Sequence, residues 1–206
     1  MRKFIFIFSI VLILIIIILL NFRLLIFNTG YYHKEFNKHL IYSKFESKNE
    51  LENNLNNLFN YFKNKEELNN DFFNEKERLH LIDVKKLINK LIFVLYLGSI
   101  LLILFFIIYR NKNYIINSLI SGSLATIIMI LFLFLIASIN FSWTFLNFHY
   151  MAFSNDYWQL ESTSNLIKMF PEEFFYDITT KILFNSLILS LIILIISYKI
   201  KSKQHI

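Results

Sequence analysis

Residues 91–138 decide the fold, and they read LIFVLYLGSILLILFFIIYRNKNYIINSLISGSLATIIMILFLFLIAS. Two apolar runs lie in this stretch, 91–109 with 19 residues and 115–138 with 24, and the short basic segment 110–114 separates them. A helix of about 20 apolar residues crosses a hydrocarbon core of about 30 Å. The stretch therefore predicts two membrane-spanning helices joined by a tight turn.

Two further apolar runs flank this pair. Residues 4–27 begin after Arg2 and Lys3, and residues 182–198 precede a basic tail. The first run is longer than the roughly 7–15 apolar residues of a secretory signal and has no small-residue cleavage site after it, so we expect it to remain as an anchor. With 56% hydrophobic residues, three Gly and one Pro, the composition predicts an all-α integral membrane protein with four transmembrane helices.

The charged residues are divided between the two sides of these helices. All 15 acidic residues lie in the segments 28–90 and 139–181. The remaining polar segments carry basic residues and no acid; they are 1–3, 110–114 and 199–206. Because Lys and Arg in short loops stay cytoplasmic, both termini are predicted to be cytoplasmic and the two acidic segments extracytoplasmic, within a single membrane domain 1–206. This placement accounts for the net charge of +6, and no nucleic-acid-binding motif is present.

Both extracytoplasmic segments carry patterns of their own. In the first, apolar residues recur at the spacing of one helical face from Leu51 to Phe62, which predicts an amphipathic helix. A second helical pattern begins near Phe72 and runs through His80 into the next membrane helix. The second segment, 139–181, is rich in aromatic residues. Since aromatic side chains gather at the membrane–water boundary, we expect this segment to lie on the outer leaflet or to dip into it.

Several kinds of catalytic site are excluded by the residues that the chain lacks. It has no cysteine, which removes thiol catalysis and cysteine–metal sites. It has no HExxH pattern of a zinc protease, no GxSxG pattern of a hydrolase and no P-loop. Histidines remain as candidates. His33 and His39 lie in a charged stretch typical of a surface, and His205 lies in the basic tail.

The other two histidines each lie a few residues from a membrane helix, among polar groups. Glu77, His80 and Asp83 are three residues apart and share one face of a helix. A carboxylate there can hold one imidazole nitrogen, fix the tautomer and raise the basicity of the other nitrogen. The alternative is an ordinary histidine on a membrane-proximal helix whose charged residues form i,i+3 pairs.

His149 lies in the aromatic segment and also has two interpretations. It could be a reactive histidine, or one hydrogen-bonded in an aromatic belt where Asn155 and Asp156 form a turn and Trp158 anchors at the headgroups. A zinc ion held by both histidines and an Asp is conceivable, but no metal-ligand spacing supports it. We therefore predict neither a metal nor a cofactor.

The sequence around these two histidines resembles a known family, the lipoprotein intramolecular transacylases of Gram-positive bacteria. The first matching block reads ERLHLIDVK, residues 77–85. The second contains Phe148-His149, Phe153, Asn155-Asp156, Trp158 and Phe170-Pro171-x-x-Phe174-Phe175. The likeness extends to the four-helix layout and covers most of the chain. One departure is Asn165, which stands where the family often has Asp, and this weakens any role for that residue.

The resemblance implies a definite reaction in the bacterial plasma membrane. The substrate would be a diacylated lipoprotein in the outer leaflet, whose N-terminal Cys carries a diacylglyceryl group. The sn-2 acyl chain would move to the Cys amine and leave a lyso-form, N-acylated lipoprotein, with no cofactor. A multi-pass protein with an extracytoplasmic active site is implied, in contact with membrane lipids, and the oligomeric state stays open.

The resemblance also implies roles for individual residues. The family's catalytic histidines correspond to His80 and His149, and we expect Asp83 and Arg78 to assist them. Substrate-binding roles are predicted for Glu77, Lys85, Asn155, Asp156 and Trp158. Among these residues, the candidate donors to the oxyanion are Arg78, Asn155 and Trp158. The alternative hypothesis is a non-catalytic membrane protein that binds a lipid or a partner protein at its outer face.

Overall fold

The structure, a computed structural model, describes residues 2–203, and every regular element within this range is helical. The helices in chain order are α1 (Arg2–Leu25), α2 (Thr29–Lys38), a 3₁₀ turn (Ile41–Lys44), α3 (Lys48–Phe62), α4 (Glu75–Tyr109), α5 (Lys112–Ile139), α6 (Phe141–Ala152), α7 (Asn165–Met169) and α8 (Glu172–Ser202). Helices α1, α4, α5 and α8 are long and apolar enough to cross a membrane. The predicted all-α class and the four spanning helices are thus confirmed, while the side that each polar segment faces stays a prediction.

The chain forms two compact units. The apolar unit comprises the residues up to Ile26, Leu91–Ile139 and the residues from Thr179 to the end of the described chain. The polar unit comprises Phe27–Lys90 and Asn140–Ile178. The first part of α4 and the first turns of α8 therefore belong to the polar unit.

Within the apolar unit, α1 packs closely against α5. A Cβ atom added to Gly122 of α5 would lie 2.7 Å from Cγ2 of Ile13 in α1, so only glycine fits this contact. The hydroxyl of Ser9 lies 3.3 Å from that of Tyr114. In lipid, small residues allow helix backbones to approach, and van der Waals contacts then hold the helices together.

The spanning helices expose much of their apolar surface. Ile108 is 70% exposed, and Ile128 is 68% exposed. Large apolar side chains at this density do not face water on a soluble protein. The exposed surface of the apolar unit is therefore the surface that lipid chains cover in a multi-pass membrane protein.

The core of the polar unit is built from α2, α3 and the start of α8. The helical face predicted for α3 is buried, and its members are Leu51, Leu55, Leu58, Phe59 and Phe62. Tyr32 of α2 contacts Phe59 with ring centroids 4.8 Å apart, and Phe174 of α8 at 5.1 Å. Aromatic contacts of this kind add to the free energy gained from burial, so the core fixes α2 and the first turns of α8 relative to α3.

Helix α6 carries part of the aromatic sequence predicted for the membrane boundary, and none of its residues is fully buried. The most exposed of its large side chains are Trp143, Tyr150 and Met151. Asn140 caps the helix, since its side chain accepts a hydrogen bond from the Trp143 amide. The exposed aromatic face suits an interfacial helix, and its contact with the outer leaflet stays a prediction.

Candidate active site

The two histidines singled out in the sequence lie beside each other in the polar unit. His80 comes from the second turn of α4 and His149 from the last turn of α6. Their ring centroids are 6.2 Å apart, and the ring planes are inclined by 34°. Because 68 residues separate them in the chain, the pair exists only through the packing of α6 against α4.

His80 is positioned by the start of α4. Asn74 caps this helix, since its side chain accepts a hydrogen bond from the Glu77 amide at 2.9 Å. In return, the Asn74 amide donates to Oε2 of Glu77 at 2.6 Å, which completes a capping box. The reciprocal bonds fix the first turn of α4, and His80 follows one turn later.

Glu77 also ties α4 to the segment before α8. Its Oε1 accepts a hydrogen bond from the Leu166 amide at 2.7 Å, and Asn165 donates to the carbonyl of Phe72 at 2.8 Å. The side chain of Glu77 is almost fully buried. Both carboxylate oxygens thus bind main-chain amides, and the contacts of Glu77 in the structure are internal to the protein.

His149 is oriented by its own helix. Its Nδ1 lies 2.7 Å from the carbonyl oxygen of Phe145, one turn earlier. A carbonyl can only accept, so the proton of the neutral ring resides on Nδ1 and Nε2 presents a lone pair. This tautomer makes Nε2 the atom of His149 that can accept a proton from a substrate.

Aromatic rings surround the pair. Phe153 contacts both histidines, with ring centroids 5.1 Å from His80 and 5.7 Å from His149. Phe145 and Trp158 lie 4.4 Å and 5.1 Å from the His149 ring. The apolar surroundings disfavour a charged imidazole.

Burial accordingly lowers the pKa of both histidines. The pKa of His80 is lowered to about 4, first by burial and then by the nearby His149, while Asp83 opposes the shift. Burial also lowers the pKa of His149, and its hydrogen bond to the Phe145 carbonyl opposes that shift. Both rings are therefore neutral at pH 7, and each can accept a proton.

The spacing of Asp83 predicted a hydrogen bond to the His80 ring, but the Asp83 carboxylate binds other side chains. Its Oδ2 accepts a hydrogen bond from Asn155 at 2.8 Å, and its Oδ1 accepts one from Lys86 at 2.9 Å. Within residues 2–203, neither Asp83 nor Glu77 is hydrogen-bonded to the His80 ring. The i,i+3 spacing is present, but other donors take the carboxylate oxygens. The pKa of Asp83 is lowered by the bonds from Lys86 and Asn155, while burial opposes the shift.

The remaining predicted residues are Arg78, Lys85 and Asp156. Arg78 is half-buried, and no carboxylate of the described chain pairs with it. The ammonium of Lys85 lies over the Tyr61 ring, 3.9 Å from its centroid. Asp156 is exposed and accepts a hydrogen bond from the Gln159 amide nitrogen at 3.0 Å. The roles of Lys85 and Asp156 in substrate binding stay predictions.

Two contributors to the site were missed in the sequence. The Phe145 carbonyl orients His149 through a main-chain atom, and only the i,i+4 spacing on a helix could have indicated it. Lys86 holds Asp83 through a contact between neighbouring turns, and its Asp-x-x-Lys spacing was available as a signal.

Comparison with known proteins confirms the family resemblance found in the sequence. The sequence model of the family described as lipoprotein intramolecular transacylase Lit matches residues 6–175. The in meso structure of the membrane-integral transacylase Lit from Bacillus cereus is 26% identical and has a TM-score of 0.86, covering 100% of this chain and 99% of the other. No curated protein sequence matches.

Two further structures of the Bacillus cereus protein are also similar. One carries a histidine-to-arginine mutation, with 25% identity, a TM-score of 0.82, and coverage of 100% of this chain and 94% of the other. The second carries a histidine-to-alanine mutation, with 26% identity, a TM-score of 0.81 and coverage of 100% and 96%. Since the family model spans most of the sequence, the chain belongs to the lipoprotein intramolecular transacylase Lit family.

Proposed function

We propose that this protein moves the sn-2 acyl chain of a diacylated lipoprotein from the glycerol oxygen to the amine of the N-terminal Cys. Membership of the transacylase family supports the class of reaction. The observation that carries the chemistry is the pair of neutral imidazoles, His80 and His149, with ring centroids 6.2 Å apart. An ester and an amine of one molecule need only be held together and supplied with a proton acceptor and a proton donor.

His149 is the general base in this proposal. Its Nε2 lone pair is free because Nδ1 is bonded to the Phe145 carbonyl. An α-amino group has a pKa of about 7.7–8.0, so a neutral imidazole can take its proton as nitrogen attacks the ester carbonyl. The new C–N bond then forms while the amine proton passes to Nε2.

His80 is the general acid. The His149 imidazolium passes the amine proton to His80. As the bond between carbonyl carbon and glycerol oxygen breaks, the oxygen takes this proton from the His80 imidazolium, so both rings end neutral. One proton has then moved from nitrogen to oxygen, and no acyl-enzyme intermediate is formed.

Hydrogen-bond donors stabilise the oxyanion. The side-chain amide of Asn155 donates one N–H to Asp83. Its second N–H can donate to the oxyanion. The Arg78 guanidinium and the Trp158 indole are the further donors that we propose, and Trp158 already contacts the His149 ring. Such donors act where negative charge develops in the transition state.

Asp83 and Glu77 are positioning residues in this proposal. Asp83 holds Asn155 at 2.8 Å. Glu77 fixes the first turn of α4 and the Leu166 segment, and a contact between Glu77 and the substrate stays a prediction. Lys85 and Asp156 stay our candidates for contacts with the lipoprotein headgroup region.

We propose a cytoplasmic location for both termini, with the polar unit on the outer face of the bacterial plasma membrane. The distribution of acidic residues supports this orientation. The spans would be 4–27, 91–109, 115–138 and 182–198. In this orientation the histidine pair meets the lipoprotein at the leaflet where its acyl chains are anchored.

Tandem mass spectrometry of a reporter lipoprotein tests the reaction. The host should leave the Cys amine free, and cells with and without the protein are compared. Intramolecular migration leaves the mass of the lipopeptide unchanged, while its fragments change to N-acyl Cys and monoacylglyceryl ions. His80→Ala and His149→Ala should abolish this change, and His33→Ala on α2 is the matched control that should retain it.

Three results would contradict the proposal. A mass increase by one acyl chain would mean transfer from a separate phospholipid. Unchanged fragments with a folded, inserted protein would favour the non-catalytic hypothesis. Full activity in both histidine variants would remove the histidine mechanism.

A further inference from the structure

A second cluster of ionisable side chains lies in the polar unit and has no part in the proposed reaction. Glu35 and Lys38 belong to α2, and His39 follows directly. Asp177 lies in the second turn of α8. The sequence suggested a surface position for His39, but its side chain is only 17% exposed because Asp177, distant in the chain, packs against it.

The cluster is tight. Nε2 of His39 lies 2.5 Å from Oδ2 of Asp177 and 3.6 Å from Oε2 of Glu35. One nitrogen and two carboxylate oxygens, from Glu35, His39 and Asp177, all lie within 4.8 Å of one another. Glu35 and His39 are four residues apart, so they project from one face of the helix.

The burial of Glu35 distinguishes this cluster from ion pairs on a protein surface. Its side chain is 6% exposed, and its Oε2 is buried without a hydrogen-bond partner among the described residues. A buried carboxylate oxygen with no donor is costly, unless a cation or a proton compensates it. The orphaned oxygen points toward His39 and Asp177, the same space that the other two groups face.

We infer that Glu35, His39 and Asp177 form a binding site for a divalent transition-metal ion, with Zn²⁺ as the ion that they match. One imidazole and two carboxylates are ligand types that Zn²⁺ takes at about 2.0–2.2 Å. Tetrahedral ligands at that distance are about 3.3 Å apart, close to the 3.6 Å between His39 and Glu35. The contact between His39 and Asp177 must open by less than one further ångström. Water would complete the coordination.

Lys38 is the competitor of the metal. Its ammonium lies 2.5 Å from Oδ2 of Asp177 and 3.8 Å from Oε2 of Glu35. The side chain is 52% exposed, so it can turn into solvent when an ion binds. Removal of this positive charge should therefore strengthen metal binding, whereas it would weaken a cluster held only by ion pairs.

Zinc titration of the full-length protein tests the site. The protein is purified without a histidine tag, freed of metal with a chelator and titrated with ZnCl₂ by isothermal calorimetry in lipid nanodiscs. One Zn²⁺ per chain is expected. His39→Gln and Asp177→Asn should each weaken binding by about tenfold or more. Lys38→Gln should bind more tightly than the unmodified chain.

Control variants separate this site from the histidine pair. His33→Gln removes a neighbouring histidine on α2, and His80→Ala disrupts the proposed catalytic centre. Both should bind zinc like the unmodified chain. Co²⁺ offers a second readout, because its visible absorption on binding should be lost in His39→Gln and kept in His33→Gln.

Several outcomes would overturn the inference. They are the absence of saturable zinc binding, equal binding in His39→Gln and Asp177→Asn, and weaker binding in Lys38→Gln. If His39→Gln fails to fold, Lys38→Gln still tests the site, because Lys38→Gln is expected to strengthen zinc binding and misfolding would weaken it. None of these measurements depends on acyl transfer, so the proposed function can fail or hold independently.

Discussion

The ring of His149 donates a hydrogen bond through Nδ1 to the main-chain carbonyl of Phe145, 2.7 Å away. The two residues are one turn apart in α6, so the helix itself sets the tautomer. Nε2 is left as an acceptor in surroundings that lower the pKa of the ring. An imidazole of this kind stays neutral at a pH where an ordinary histidine is already half charged.

The pH dependence of acyl migration should show this directly. The pKa of His149 lies below its ordinary value of 6.5, so the base loses activity only as the pH falls through that lower value. The amine titrates at about 7.7–8.0. A plot of log kcat/KM against pH should therefore rise with unit slope up to the amine pKa, and this slope should continue below pH 6.5, where a histidine with the ordinary pKa would already raise it toward two. A slope that rises to two directly below pH 6.5 would contradict the prediction.

Asp83→Asn should lower activity by about tenfold. The substitution keeps the shape but removes the charge that holds the Asn155 amide, and a hydrogen bond to a charged group contributes about 1.5–3 kcal/mol. Lys86→Gln is the matched control, because it removes the exposed partner of Asp83, and surface ion pairs contribute little. Single-turnover rates of both variants check this. Equal losses would mean that Asp83 acts through Lys86.

Glu77→Gln should destabilise the polar unit by about 1–3 kcal/mol. Both oxygens of Glu77 accept amide hydrogens, whereas the glutamine amide group has only one accepting oxygen, so one buried N–H loses its partner. Thermal unfolding of the protein in nanodiscs measures the loss. Glu75→Gln, an exposed residue of the same helix turn, should leave Tm unchanged. An unchanged Tm in Glu77→Gln would show that the buried bonds are dispensable.

Gly122→Ala should destabilise the contact between α1 and α5 by about 1–3 kcal/mol. The added methyl group would lie 2.7–2.9 Å from three atoms of Ile13. Gly98→Ala is the control, since its Cβ would lie 3.5 Å from Leu12, an ordinary contact. Unfolding in detergent compares the two, and Ile13→Ala combined with Gly122→Ala should recover part of the lost stability. Identical Tm values for both alanine variants would contradict the close packing.

The spanning helices and the buried face of α3 could be predicted because their signals are local. The lengths of the apolar runs predict the spanning helices. The periodicity from Leu51 to Phe62 predicts the apolar face of α3, and this face is buried in the structure. The proximity of His80 and His149 could not be predicted from spacing, because it depends on contacts between distant segments. The resemblance to a family supplied it instead.

The local environment of each site residue was less predictable. The shared face of Glu77, His80 and Asp83 exists, but the carboxylates are bound by Leu166, Asn155 and other donors. Partners so far away in the chain leave no periodic signal. His39 illustrates the same point, since its ligand-like environment comes from Asp177, 138 residues away.

The aromatic rings around the histidine pair have a consequence for the fate of the ester. Water is a competing nucleophile for the same carbonyl carbon, and hydrolysis would release a fatty acid and leave the lipoprotein amine bare. The side chains of Phe145, Phe153 and Trp158 carry no oxygen that would hold a water molecule in line for attack. A transferase that conserves its acyl chain must be a poor hydrolase, and this apolar lining favours the tethered amine over the solvent.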